Sequence, residues 1–154
     1  MNTAMRSAAL LLTLGVGLFA MAGPASAATS VTDISDGTLL AEGVAVEVSF
    51  SFTCDKGRNV TSNLMISQRV NAGRIARGFG SNTGGFEPCT GDLQTETVTV
   101  IAESSAFKNG TALAIVDLLL CDPGFPGFPG VPDFSSCTNF RSIEEIQLDQ
   151  VRDA

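Results

Sequence analysis

Residues 44–54 read Val-Ala-Val-Glu-Val-Ser-Phe-Ser-Phe-Thr-Cys, and this run restricts the fold more than any other stretch of the chain. Val44, Val46, Val48, Phe50, Phe52 and Cys54 fall on every second residue, with Ala45, Glu47, Ser49, Ser51 and Thr53 between them. A side-chain period of two lets an extended strand bury one face and wet the other. A helix would scatter the same Val and Phe around its circumference. The run predicts a strand with one buried face.

Similar signals recur on both sides of it. Residues 37–43 form a short strand between two Gly. Residues 60–70 alternate less cleanly, with Leu64, Ile66 and Val70 on one parity, and residues 74–80 put Ile75, Arg77 and Phe79 on one side. Residues 93–102 are rich in β-branched side chains. Residues 111–121 are apolar on both parities, as a strand central to a sheet or a buried helix can be. The flanking Asn109-Gly110 and Pro123-Gly124 favour the strand. Residues 138–148 supply the last strand, and polar or Gly turns at 55–59 and 71–73 separate the runs. About seven strands with short links predict an all-β fold, an immunoglobulin-like two-sheet antiparallel sandwich, with a small closed barrel as the alternative.

The first 27 residues read as a secretory signal. Arg6 gives the positive region, residues 8–20 the apolar stretch, and Ala25-Ser26-Ala27 the small-x-small cleavage site. The alternative, a membrane span, needs roughly 20 apolar residues, and Gly15, Gly17, Gly23 and Pro24 interrupt or end this stretch. Of 154 residues, removal of 27 leaves 127, enough for one domain. The expected division is a signal peptide at 1–27, a flexible lead-in at 28–36, the sandwich domain at 37–148 and a tail at 149–154. The expected fate is a bacterial protein secreted to the medium, with no membrane attachment after cleavage.

Four Cys in a secreted chain imply two disulfides. Cys54, Cys89, Cys121 and Cys137 lack CxxC spacing and the chain has no His, so a zinc site would need four scattered thiolates. The sandwich layout selects a pairing. The second and fifth strands run antiparallel side by side, which brings Cys54 at the end of one beside Cys89 ahead of the other. The sixth and last strands are also antiparallel neighbours, joining Cys121 to Cys137.

Chemistry is restricted by what is missing. With no His and no Tyr, a Ser-His-Asp triad, a Cys-His pair and His-ligated metals are impossible. Glu144 and Glu145 are adjacent, so on a strand they face opposite ways. Asp33-Ile-Ser-Asp36-Gly37 misses the calcium-loop spacing and reads as an Asx-type turn. Asn59-Val60-Thr61 and Asn109-Gly110-Thr111 fit the glycosylation sequon but read as turn residues. No enzyme activity, cofactor or metal is expected. Of 9 Lys and Arg, removal of Arg6 leaves 8 against 16 acids, a net charge of −8 that argues against nucleic acid and anionic membranes.

Two segments stand out as contact candidates. Lys56, Arg58, Arg69, Arg74 and Arg77 fall within residues 55–80, where Asp55 is the sole acid. They either dock an anionic partner such as a wall polymer, with Arg74 and Arg77 foremost, or balance neighbouring acidic strands. The loop from Gly124 to Pro132 carries Phe125 and Phe128 among Gly and Pro. These rings either cap the open end of the sandwich or stand out as a rigid apolar contact.

The mature chain resembles small secreted β-sandwich proteins of actinobacteria over most of residues 37–148. The likeness rests on the Val-rich strand ending in Cys54, the Gln68…Gly73-Arg74 turn, Cys89-Thr-Gly leading to residues 95–100, and Phe107-Lys-Asn-Gly110. It implies a fold and no reaction. Ile34-Ser-Asp-Gly-Thr38 is similar to the opening strand of neocarzinostatin-type apoproteins, two-disulfide carriers of an enediyne chromophore, although the Cys placement differs. Two functions follow as expectations. One is a non-catalytic extracellular domain that binds a protein or polymer through a loop end or sheet face. The other is a carrier of a small apolar ligand near the Phe-rich loop. A carboxylate-dependent hydrolase would need two acids converging in a groove.

Overall fold

The computed structural model describes residues 28–82, 84–124 and 131–150, so residues 1–27, expected to be a signal peptide, and Phe125 and Phe128 lie outside the described residues. Nine strands follow one another there: β1 (Ser30–Ile34), β2 (Gly37–Leu40), β3 (Ala45–Thr53), β4 (Asn59–Asn71), β5 (Arg74–Ser81), β6 (Glu87–Pro88), β7 (Gln94–Ala102), β8 (Gly110–Pro123) and β9 (Pro132–Gln150). A single turn, Ala41–Gly43, joins β2 to β3.

The strand from the organising run sits inside the first layer. β1 and β2 share one edge of β3, β1 along residues 50–53 and β2 along 45–47, and β7 covers the other edge over residues 45–52. The second layer runs β9-β8-β4-β5, antiparallel throughout. Two short pairings bridge the layers. β2 lies parallel to β9 from Gly37↔Leu148 to Leu39↔Gln150, and β5 meets β7 at Gly78↔Ala102 and Phe79↔Ile101. The fold is the expected all-β sandwich, with one parallel pair and with both corners stitched by hydrogen bonds.

Alternation explains the core. Val46, Val48, Phe50 and Phe52 of β3 and Val98 and Val100 of β7 face Val60, Leu64 and Ile66 of β4 and the even-numbered residues 112–120 of β8. Ile146 and Leu148 of β9 and Phe107 of the β7–β8 loop complete one cluster. Each buried large side chain contributes roughly 1.5–3 kcal/mol by area removed from water. Gln68, on the inward parity of β4, is also buried. Its amide donates to the carbonyls of Lys108 (2.7 Å) and Gly110 (3.3 Å) and accepts from Lys108 N (2.8 Å), which pins the β7–β8 loop.

Both disulfides form as the strand layout predicts. Cys54–Cys89 spans 5.6 Å between Cα atoms and Cys121–Cys137 spans 4.1 Å. Such bonds belong to an oxidising, extracellular-type compartment. Among the described residues no helix is long and apolar enough to cross a membrane.

Four expectations need correction. Residues 28–36 are no loose lead-in, because β1 pairs with the end of β3 from Ser30↔Thr53 to Ile34↔Phe50. Asp149 and Gln150, expected in the tail at 149–154, pair with β2, and residues 151–154 lie outside the described residues. Val44 is 52% exposed and outside the alternation, because the Ala41–Gly43 turn delivers it in a helical conformation. The last strand starts at Pro132, not at 138, and this shortens the Phe-rich loop.

Candidate interaction surface

On β5 the parity carrying Ile75, Arg77 and Phe79 faces solvent, while Ala76, Gly78 and Gly80 face inward. β5 therefore lies directly against the backbone of β7. A side chain larger than hydrogen at Gly78 or Gly80 would collide with the carbonyls of Ile101 or Thr99. Apolar residues are displaced to the outer surface by this close approach.

Outward apolar residues continue on the neighbouring strands, whose inward positions are largely apolar as well. Phe79 is paired with Met65, Met65 with Ile115 and Ile115 with Ile143. Since directly opposite residues share a face, the four side chains form one row across β5, β4, β8 and β9. Phe79 is 46%, Met65 40% and Ile143 57% exposed, and Ile101 extends the row at the corner to β7. Leu113 flanks it, and Ile75 lies one same-face row further out, opposite Arg69. Residues 111–121 are apolar on both parities for two reasons: the even side is core, and on the odd side Leu113 and Ile115 face outward, Ile115 within the row.

Polar rows border the belt. On one side Arg77, Ser67, Leu113 and Glu145 lie opposite one another in turn. On the other are Ser81, Asn63, Asp117 and Arg141. Arg141 grips Asp117 through two bonds, Nε to Oδ1 at 2.7 Å and Nη2 to Oδ2 at 2.9 Å, which raises the Arg141 pKa above its ordinary value. Among the described residues Arg69, Arg74 and Arg77 have no ion-pair partner.

The five cations expected as one hairpin cluster are divided. Lys56 and Arg58 lie near the start of β4 and Arg69, Arg74 and Arg77 toward its other end, roughly 30–40 Å away at the strand rise per residue. Arg58 has a structural role. Its Nη2 donates to the carbonyls of Leu120 (2.9 Å) and Ser136 (3.2 Å), its Nη1 to Thr138 Oγ1 (3.1 Å), and its Nε lies 3.1 Å from Asp122 Oδ1. It ties the base of the β8–β9 hairpin beside Cys121–Cys137.

The outer face of the first layer differs in character. Ser49 and Thr97 (2.7 Å), Ser51 and Thr95 (2.8 Å) and Ser30 and Thr53 (3.1 Å) pair hydroxyl to hydroxyl across the strands. These hydroxyls satisfy one another. At the loop end, Phe134 is exposed and meets Phe86 edge-on at 5.8 Å, two residues that the sequence reading did not select.

One carboxyl points inward. Glu96 on β7 accepts a hydrogen bond from the Ser62 hydroxyl on β4 across the two layers, and its Oε1 is buried without a partner. Burial raises its pKa above the ordinary value; the Ser62 bond opposes the rise and nearby Glu87 adds to it. A carboxyl whose folded pKa is raised stabilises the fold at acid pH and loses that contribution as pH climbs through the folded value. Glu96→Gln, which keeps the shape and removes the charge, is expected to raise the Tm near pH 7 and to match the wild type near pH 4. Equal Tm values at both would show that Glu96 is not desolvated in solution. Glu144 and Glu145 point to opposite faces, and among the described residues no three His, Cys, Asp or Glu converge to hold a metal. Neither a protein-family model nor a curated protein matches this sequence.

Proposed function

We propose that the chain is a secreted, non-catalytic bacterial protein that binds a protein partner outside the cell through the outer face of β5, β4, β8 and β9. The observation that carries this reading is the paired row Phe79–Met65–Ile115–Ile143 across four strands, apolar throughout, with Phe79, Met65 and Ile143 exposed and Ile115 half-buried. Contiguous apolar surface of this kind is rare on a soluble monomer outside contact sites. The signal-like leader and the two disulfides support an extracellular setting. The absence of His and Tyr leaves few groups for catalysis.

The test is capture from the source organism's own culture medium on immobilised mature protein, read by mass spectrometry. The wild type is expected to retain a protein that Phe79→Glu and Ile143→Glu no longer retain, with thermal unfolding unchanged because both positions are exposed. Retention that ignores both substitutions overturns the reading. Retention of a small apolar molecule instead would turn it to the carrier function.

A further inference from the structure

We propose that the occupant of this face is a second copy of the same chain, docked face to face about a two-fold axis parallel to the strands and midway between β4 and β8. The proposal rests on the reading of the face as the contact surface and names what covers it.

Such an axis exchanges β5 with β9 and β4 with β8 while keeping each cross-strand row opposite itself. Within the apolar row, Phe79 then lies against Ile143 of the other copy, and Met65 against Ile115. In the next row Arg77, on β5, lies against Glu145, on β9 of the other copy. The two-fold repeats that contact, so two opposite-charge pairs flank one apolar centre. An isologous interface requires this self-complementarity. A partner of uniform charge would satisfy one end of the row and repel the other.

The charge of the face agrees. The chain as a whole carries −7, which disfavours contact between copies at most surfaces. On this face Arg69, Arg77 and Arg141 stand against Asp117 and Glu145, so the repulsion is locally absent. Four strands at about 4.8 Å spacing and seven residues at about 3.4 Å give roughly 450 Å² in projection per partner, near the lower limit for a specific interface. Contacts at this small end of the size range are characteristically weak and transient, so micromolar concentration is where the dimer is expected. Aligned packing about 30° off parallel, usual for stacked sheets, keeps Met65 and Ile115 central.

Sedimentation equilibrium of the mature chain across low- to high-micromolar concentration tests the proposal. The weight-average mass is expected to rise toward that of a dimer. Phe79→Glu should weaken the Kd by roughly a hundredfold, because it removes an apolar contact to Ile143 and sets an unpaired charge against it. Arg77→Glu and Glu145→Arg should each weaken it by roughly tenfold, and the double reversal should recover most of the loss. A monomer at every concentration overturns the proposal, as does a dimer indifferent to Phe79→Glu or one that the double reversal fails to restore. If the chain stays monomeric while capture from the medium still depends on Phe79, self-association is refuted and the contact-face reading stands. If neither depends on Phe79, both fall.

Discussion

Gly80→Val is expected to cost more stability than any substitution on the exposed surface. A Cβ at Gly80 would stand 2.4 Å from the Thr99 carbonyl oxygen and 2.7 Å from Val98 Cγ1; at Gly78 it would stand 2.5 Å from the Ile101 oxygen and 2.8 Å from Val100 Cγ1. The obstructing carbonyls belong to β7, whose other face of hydrogen bonds holds β3, so they cannot retreat without disturbing that ladder. Overpacking of a core usually costs about 1–3 kcal/mol, and backbone obstruction places these sites at or above the upper end. For a domain of this size that corresponds to a Tm lower by roughly 10 °C or more. Ile75→Ala, on the solvent side of the same strand, is the control and should shift the Tm little. Thermal unfolding followed by circular dichroism decides it: wild-type stability in Gly80→Val would mean that β5 does not press on β7.

Removal of the Cys54–Cys89 bridge is the second large effect. Its sequence separation is 35, against 16 for Cys121–Cys137. The loop-entropy relation assigns these closures about 4 and about 3 kcal/mol. Cys54 and Cys89 are both buried within the core cluster, whereas Cys121 is buried outside it and Cys137 is half-buried, so the Cys54→Ala/Cys89→Ala pair loses more packing. Denaturant titration should therefore rank this double variant below Cys121→Ala/Cys137→Ala. The hairpin bridge is further backed by the Arg58 bonds to Leu120 and Ser136, which outlast its removal. The reverse ranking would mean that the hairpin, and not the β3 end, limits unfolding.

The sequence made the architecture legible wherever one parity was apolar and the other polar. The run at 44–54 satisfies that condition, and its strand, its neighbour at 94–102 and the Cys54 pairing all emerged from it. The exposed apolar row was hidden because its signal has the opposite sign. On β5 the bulky residues Ile75 and Phe79 point to solvent and Gly78 and Gly80 to the core, so alternation alone identifies two faces without saying which is inside. On β8 the doubly apolar pattern marks a central strand equally well when its second face is covered and when it is bare. Ser30–Ile34 escaped notice because an edge strand with two exposed residues, Thr32 and Asp33, looks like a polar linker. Arg74 and Arg77 were visible as cations. Their relation to the apolar row depends on cross-strand register, which no single stretch of sequence contains.

The parallel pair of β2 and β9 carries a consequence for the order of events in folding. It unites the first and last parts of the described chain, and beside it Gln147 N donates to Asp36 Oδ1 across 111 residues of sequence. Closure of that corner must wait until the C-terminal strand is free to reach back. A chain threaded N-terminus first through an export channel would emerge with its opening strands unclosed and its core exposed until residues 148–150 cleared the exit. Such long-range closure belongs to the slow, millisecond-to-second class of β-rich folding. The last strand is thus both the outer rim of the exposed apolar row and the latch of the domain, so that row is assembled only once β9 has reached back to β2.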